Sequence, residues 1–93
     1  MESYPLHEML RGWFVGAFTP SVFRTQDVEV AVQHFKAGDY EVKHLHKIAT
    51  EITVIVSGAV RINGTRYLAG SIIKLLPGES TDFEALERTL LLQ

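Results

Sequence analysis

The pattern that most constrains this chain is a succession of short apolar and β-branched runs, interrupted by turn residues about every ten positions. From residue 13 onward such runs occupy Trp13–Phe18, Val28–Lys36, Val42–His46, Glu51–Ser57, Ala59–Asn63, Arg66–Leu68, Ile72–Leu76, Thr81–Phe83 and Arg88–Leu92. The breaks are Thr19-Pro20-Ser21, Gly38-Asp39, Ser57-Gly58, Asn63-Gly64, Ala69-Gly70 and Pro77-Gly78. Evenly spaced short strands of this kind form all-β sandwiches or barrels. Asn63-Gly64 is the clearest hairpin, because a type I′ turn needs positive φ at both central residues. Only Leu6–Arg11 is suited to a helical turn. With 93 residues the chain is expected to be one domain, residues 1–12 forming an N-terminal arm and 13–92 a β-barrel.

The run Glu51–Ser57 fails the alternation of a strand with one wet face. One side carries Glu51, Thr53, Ile55 and Ser57, and the other carries Ile52, Val54 and Val56. A strand apolar on both sides must be covered on both. A second sheet accounts for one covering. A partner subunit or the N-terminal aromatic segment accounts for the other, and the expectation is a homodimer.

Charge and composition exclude several function classes. Nine Lys+Arg against eleven Asp+Glu give a net charge of −2 with the signs interspersed, so no patch for nucleic acid or anionic lipid is expected. No apolar run reaches the roughly 18 residues that span a bilayer, and the first dozen residues lack the basic and apolar regions of a signal peptide. A cytoplasmic protein without a membrane partner is expected. The absence of Cys means that any metal or acid/base centre is built from His, Asp and Glu. Ser57 has neither a His-Asp pair nor a nucleophile elbow around it, which argues against a serine hydrolase.

The stretch that carries chemistry runs from Gly38 to Gly58. His44 and His46 lie two apart on an expected strand, so their side chains leave the same face with Cβ atoms about 6–7 Å apart, within reach of one ion. A short turn, Lys47-Ile48-Ala49-Thr50, then returns the chain antiparallel, and Glu51 begins the next strand as a candidate third ligand. Two imidazoles and a carboxylate suit Fe(II), Mn, Zn, Ni or Co. The plain alternative is a pair of solvated strand-end histidines and a solvated acid. His34 shares a face with Val28, Val30 and Val32 and reads first as a hydrogen-bonded strand histidine. His7 reads as a surface residue, and Trp13, Phe14 and Phe18 as core or interface anchors. Tyr40, Arg61, Arg66, Tyr67 and Lys74 would meet an anionic ligand if they faced inward, but each reads first as solvated.

Gly38-x5-His44-x-His46-x4-Glu51-x6-Gly58 resembles the first signature motif of the cupins, G-x5-H-x-H-x3,4-E-x6-G, at every fixed position. The resemblance covers about residues 28–92. It implies a small jelly roll, or double-stranded β-helix barrel, with the site inside its mouth. It also implies that His44, His46 and Glu51 hold a divalent first-row metal and present it to a small-molecule ligand, with Thr81, His34 and Thr53 as further pocket candidates. The second cupin motif, G-x5-P-x-G-x2-H-x3-N, falls in register on Gly70 through Ala85 but is degraded. Gly70 and Gly78 match, whereas Leu76, Thr81 and Ala85 stand at the Pro, His and Asn positions, with Pro77 beside Leu76. Thr81 therefore replaces what is usually the last protein ligand of the family. Two outcomes stay open: a metal held by three residues with open positions, or a module that has lost the metal and binds small molecules or assembles without it. Alternation points Asp82 away from the face that Thr81 lines, so only a bulge would let it compensate.

Overall fold

The structure is a computed structural model that describes residues 1–45 and 49–93, the side chains of residues 44 and 45 excepted. Two 3-10 turns, Leu6–Glu8 and Leu10–Gly12, lead into nine strands: β1 Trp13–Val15, β2 Val30–Phe35, β3 Tyr40–Leu45, β4 Glu51–Ser57, β5 Ala59–Ile62, β6 Thr65–Leu68, β7 Ile72–Leu75, β8 Ser80–Ala85 and β9 Thr89–Leu92. They form a five-stranded sheet in the order β1-β2-β9-β4-β7 and a four-stranded sheet in the order β3-β8-β5-β6, with every pairing between strands antiparallel. This is the jelly-roll architecture expected from the sequence. Among the described residues no helix is long and apolar enough to cross a membrane.

The core lies between the sheets. Ile55 of β4, Val60 of β5 and Leu91 of β9 are fully enclosed, with Phe35, Ile62, Tyr67, Ile73 and Phe83 packed around them. Phe35 and Phe83 come from opposite sheets and meet with ring centroids 4.8 Å apart at 48°, a tilted geometry that complements the ring quadrupoles. Buried polar groups are satisfied: the Thr89 hydroxyl, bonded to the Ala59 and Glu87 carbonyl oxygens, closes the β4–β5 end of the core.

Gly58 in that turn has φ +91°, and a Cβ there would lie 2.4 Å from the Arg88 carbonyl oxygen. The closing glycine of the first motif is therefore required both by backbone conformation and by close approach. The Asn63-Gly64 hairpin forms as expected, with φ of +48° and +81°. Asp82 fastens it from the neighbouring strand: the Asn63 amide donates to Asp82 Oδ1 at 2.6 Å, and the Asp82 amide donates back to Asn63 Oδ1 at 3.1 Å.

Two long-range features differ from the sequence expectation. β3 and β4 are not a hairpin pair but belong to opposite sheets, so Glu51 does not lie on a strand paired with the one that carries His44. The N-terminal aromatic segment does not cover the second face of β4. It extends the sheet at its far edge, with Trp13 opposite Ala31, and the 3-10 turns sit over β2, where Gly12 comes so close that a Cβ would strike the Val32 carbonyl.

Candidate functional site

Strand alternation aims the site residues. In β4, Thr53 and Ile55 are buried and Glu51 is half-buried on the same side, whereas Ile52 and Val56 face outward. Glu51 stands opposite Leu75 of β7. In β8, Thr81 is only 7% exposed and points inward with Phe83.

A bulge positions β3 against it. Tyr40 and Glu41 lie opposite Glu84 and Phe83, yet His44 lies opposite Thr81, so β3 takes three steps where β8 takes two. Without the extra residue Lys43 would be the partner of Thr81. The bulge re-aims the strand so that His44 takes that rung. The side chain of His44, and all of His46, Lys47 and Ile48, lie outside the described residues. Among the described residues no group of three or more His, Cys, Asp or Glu is gathered for a metal ion.

A cavity of about 350 Å³ opens between the two sheets at this end, lined by Ile62, Thr65, Tyr67, Leu75, Ser80 and Thr81 among others. Both Leu75 and Thr81 belong to its wall, and they are the register partners of Glu51 and His44. The wall is more polar than apolar: Ile62, Ile73 and Leu75 stand beside the hydroxyls of Thr65, Tyr67, Ser80 and Thr81 and the charged Lys74 and Glu79.

The remaining candidates are dispersed. Thr53 faces the interior but donates its hydroxyl to Gln93 Oε1 at 3.4 Å, and the Gln93 amide is bonded in turn to Gln33. His34 is exposed on the outer face of β2, opposite Leu90, and borders a separate cleft of about 690 Å³ with Leu6, His7 and Arg11. It does not share the interior with Thr81 and Thr53. Asp82 is held by Asn63 on the outer side, as alternation requires. Arg61 pairs with Glu84 at 2.9 Å, and Tyr40 is exposed. Lys74, opposite the exposed Ile52, borders the cavity.

Tyr67 and Thr65 line the interior although the sequence reading left the first as solvated and passed over the second. The signal was present: counting by twos from the Asn63-Gly64 turn places Thr65 and Tyr67 opposite Ile62 and Val60, the inward residues of β5.

No family model and no curated protein matches the sequence. Solved structures do match. A double-stranded β-helix domain protein from Klebsiella pneumoniae superposes with a TM-score of 0.66 and 26% identity, over 76% of this chain and 68% of that one. A cupin protein from Bacteroides fragilis gives 0.56 and 26%, over 69% and 60%. A cupin-2 domain protein from Shewanella frigidimarina gives 0.60 at 16% identity, over 74% and 72%, a likeness of fold alone. With the two-sheet topology and these likenesses together, the chain has the double-stranded β-helix fold of a small cupin domain.

Proposed function

We propose that this cupin holds a divalent first-row metal ion (Fe, Mn, Zn, Ni or Co) through His44, His46 and Glu51 at the open end of the barrel and presents it to a small-molecule ligand. The observation that carries the reading is the shared wall. His44 and Glu51 come from opposite sheets, and their register partners Thr81 and Leu75 line one cavity. Two imidazoles and a carboxylate form an N/O donor set suited to these ions. Bound there, the metal supplies Lewis-acid or redox chemistry to a ligand in the cavity. Tyr67, Thr65 and Thr81 supply hydroxyls that orient the ligand, while Ile62 and Ile73 exclude water from it.

The test is metal content in protein purified without chelator or nickel resin. One ion per chain, lost in the His44→Ala/His46→Ala double variant, is the expected result; unchanged metal in that variant overturns the assignment. A second reading, a non-catalytic binding or sensor module without metal, draws on one observation: an inward Thr81 stands where the family motif has its last imidazole. Thermal shifts separate the two. An ion present at a hundred times its Kd adds about 2.7 kcal/mol to a protein that binds it and nothing to one that does not.

A further inference from the structure

The cleft between the N-terminal arm and β2 lies outside the barrel. Its volume of about 690 Å³ falls within the roughly 300–1,000 Å³ of small-molecule sites. Leu6, Met9 and Val32 give it an apolar wall, and His7, Arg11 and His34 stand around that wall. Among the described residues no carboxylate lines it, for Glu8 follows His7 in the chain without joining the lining. Nor, among the described residues, does a hydrogen bond or ion pair engage the side chains of His7, Arg11 or His34. Three nitrogen donors thus border one apolar cleft with no acceptor from the chain itself. An imidazole offers an N–H in either charge state, and a guanidinium offers a planar fork that matches a carboxylate.

The cleft is held in shape by its backbone. Arg11 has φ 50° and ψ 30°, a left-handed conformation that residues other than glycine rarely adopt and that persists where the surrounding structure enforces it, often at binding sites. Two contacts enforce it here. Gly12 lies so close to β2 that a Cβ would stand 1.9 Å from the Val32 carbonyl oxygen. On the other side, Gln33 Nε2 donates to the Arg11 carbonyl oxygen at 3.3 Å, the Gln93 amide donates to Gln33 Oε1, and the Thr53 hydroxyl donates to Gln93 Oε1 at 3.4 Å. Two glutamines therefore tie the arm to a buried residue of β4, and a ligand would meet a wall already ordered, which lowers the cost of binding. We propose that this cleft binds a small organic monocarboxylate, its apolar body against Leu6, Met9 and Val32 and its carboxylate against Arg11, with His7 and His34 as further donors. The site is separate from the cavity between the sheets and does not depend on a metal there.

Titration of the full chain with phenylacetate, followed by amide chemical shifts, tests this. The expected result is saturable shifts at residues 6–12 and 32–34. Phenylacetamide, which keeps the ring and loses the charge, and acetate, which keeps the charge and loses the ring, should each bind at least about tenfold more weakly. Arg11→Gln should weaken phenylacetate at least about tenfold, and Arg11→Lys, which keeps the charge without the fork, by less. His34→Gln, at an exposed position, should weaken it severalfold with the rest of the spectrum unchanged. The His44→Ala/His46→Ala variant should bind phenylacetate as the parent does, which separates this cleft from the barrel. No saturation at millimolar phenylacetate, shifts centred on Leu75 and Thr81 instead, phenylacetamide binding as tightly as phenylacetate, or a folded Arg11→Gln chain with parental affinity overturns the proposal.

Discussion

His44 and Thr81 occupy the same rung of the β3–β8 ladder, brought level by a bulge between Glu41 and His44. The position that carries an imidazole in the second cupin motif therefore sits beside the first motif here, but with a hydroxyl. If His44, His46 and Glu51 hold a metal as proposed, Thr81→His adds a fourth donor. It should tighten metal binding at least about tenfold, roughly 1.4 kcal/mol, while the larger side chain costs the metal-free protein about 1–3 kcal/mol through crowding. Calorimetric titration with the ion found in the parent measures the first quantity and urea unfolding the second. Unchanged affinity removes Thr81 from the site.

Asp82 is engaged by the Asn63-Gly64 hairpin, through hydrogen bonds to Asn63. Asp82→Ala deletes the acceptor for the Asn63 amide and should cost about 1 kcal/mol, the worth of an ordinary exposed hydrogen bond. Metal content should stay at the parental level. A variant that loses its metal while remaining folded would make this carboxylate a ligand.

Gly58 and Gly38 have the same φ of +91° but different surroundings, so their alanine variants separate conformational strain from collision. A Cβ at Gly38 meets nothing within 4 Å, and Gly38→Ala should cost about 1–2 kcal/mol for the left-handed backbone alone. Gly58→Ala should exceed that by about 2 kcal/mol or more, because the new methyl strikes the Arg88 carbonyl and Thr89. Equal costs in chemical denaturation would show that the turn relaxes freely.

The two sides of β4 should respond unequally to truncation. Ile55→Ala opens a cavity between the sheets and should cost about 3 kcal/mol at any protein concentration. Ile52→Ala should change the stability of the dilute chain by less than about 0.5 kcal/mol. A large loss for Ile52→Ala at high dilution would place that side chain in the core.

The site was legible in proportion to how local its determinants are. The spacing Gly38, His44, His46, Glu51, Gly58 is read directly from the chain, and so is the parity that puts Thr53 and Ile55 on one side of β4 and Ile52 and Val56 on the other. His34 was harder. Its face was correctly joined to Val30 and Val32, but whether that face looks into the barrel depends on the sheet packed over its other side. Tyr67 was discounted for the same reason, since alternation says which residues travel together and not which group turns inward.

What the amino-acid order determined by itself was the nine strands, the turn at Asn63-Gly64 and the alternation within each strand, because turn chemistry and a two-residue period act over a few bonds. Tertiary structure alone decided that β3 and β4 lie in opposite sheets, that a bulge rather than simple alternation sets His44 beside Thr81, and that the outer side of β4 is left bare. Those outcomes depend on pairings between residues far apart in the chain, such as Val32 with Leu92 and Val54 with Leu92. The free energy of such pairings comes from burying whole faces together, and no short stretch of sequence contains both partners.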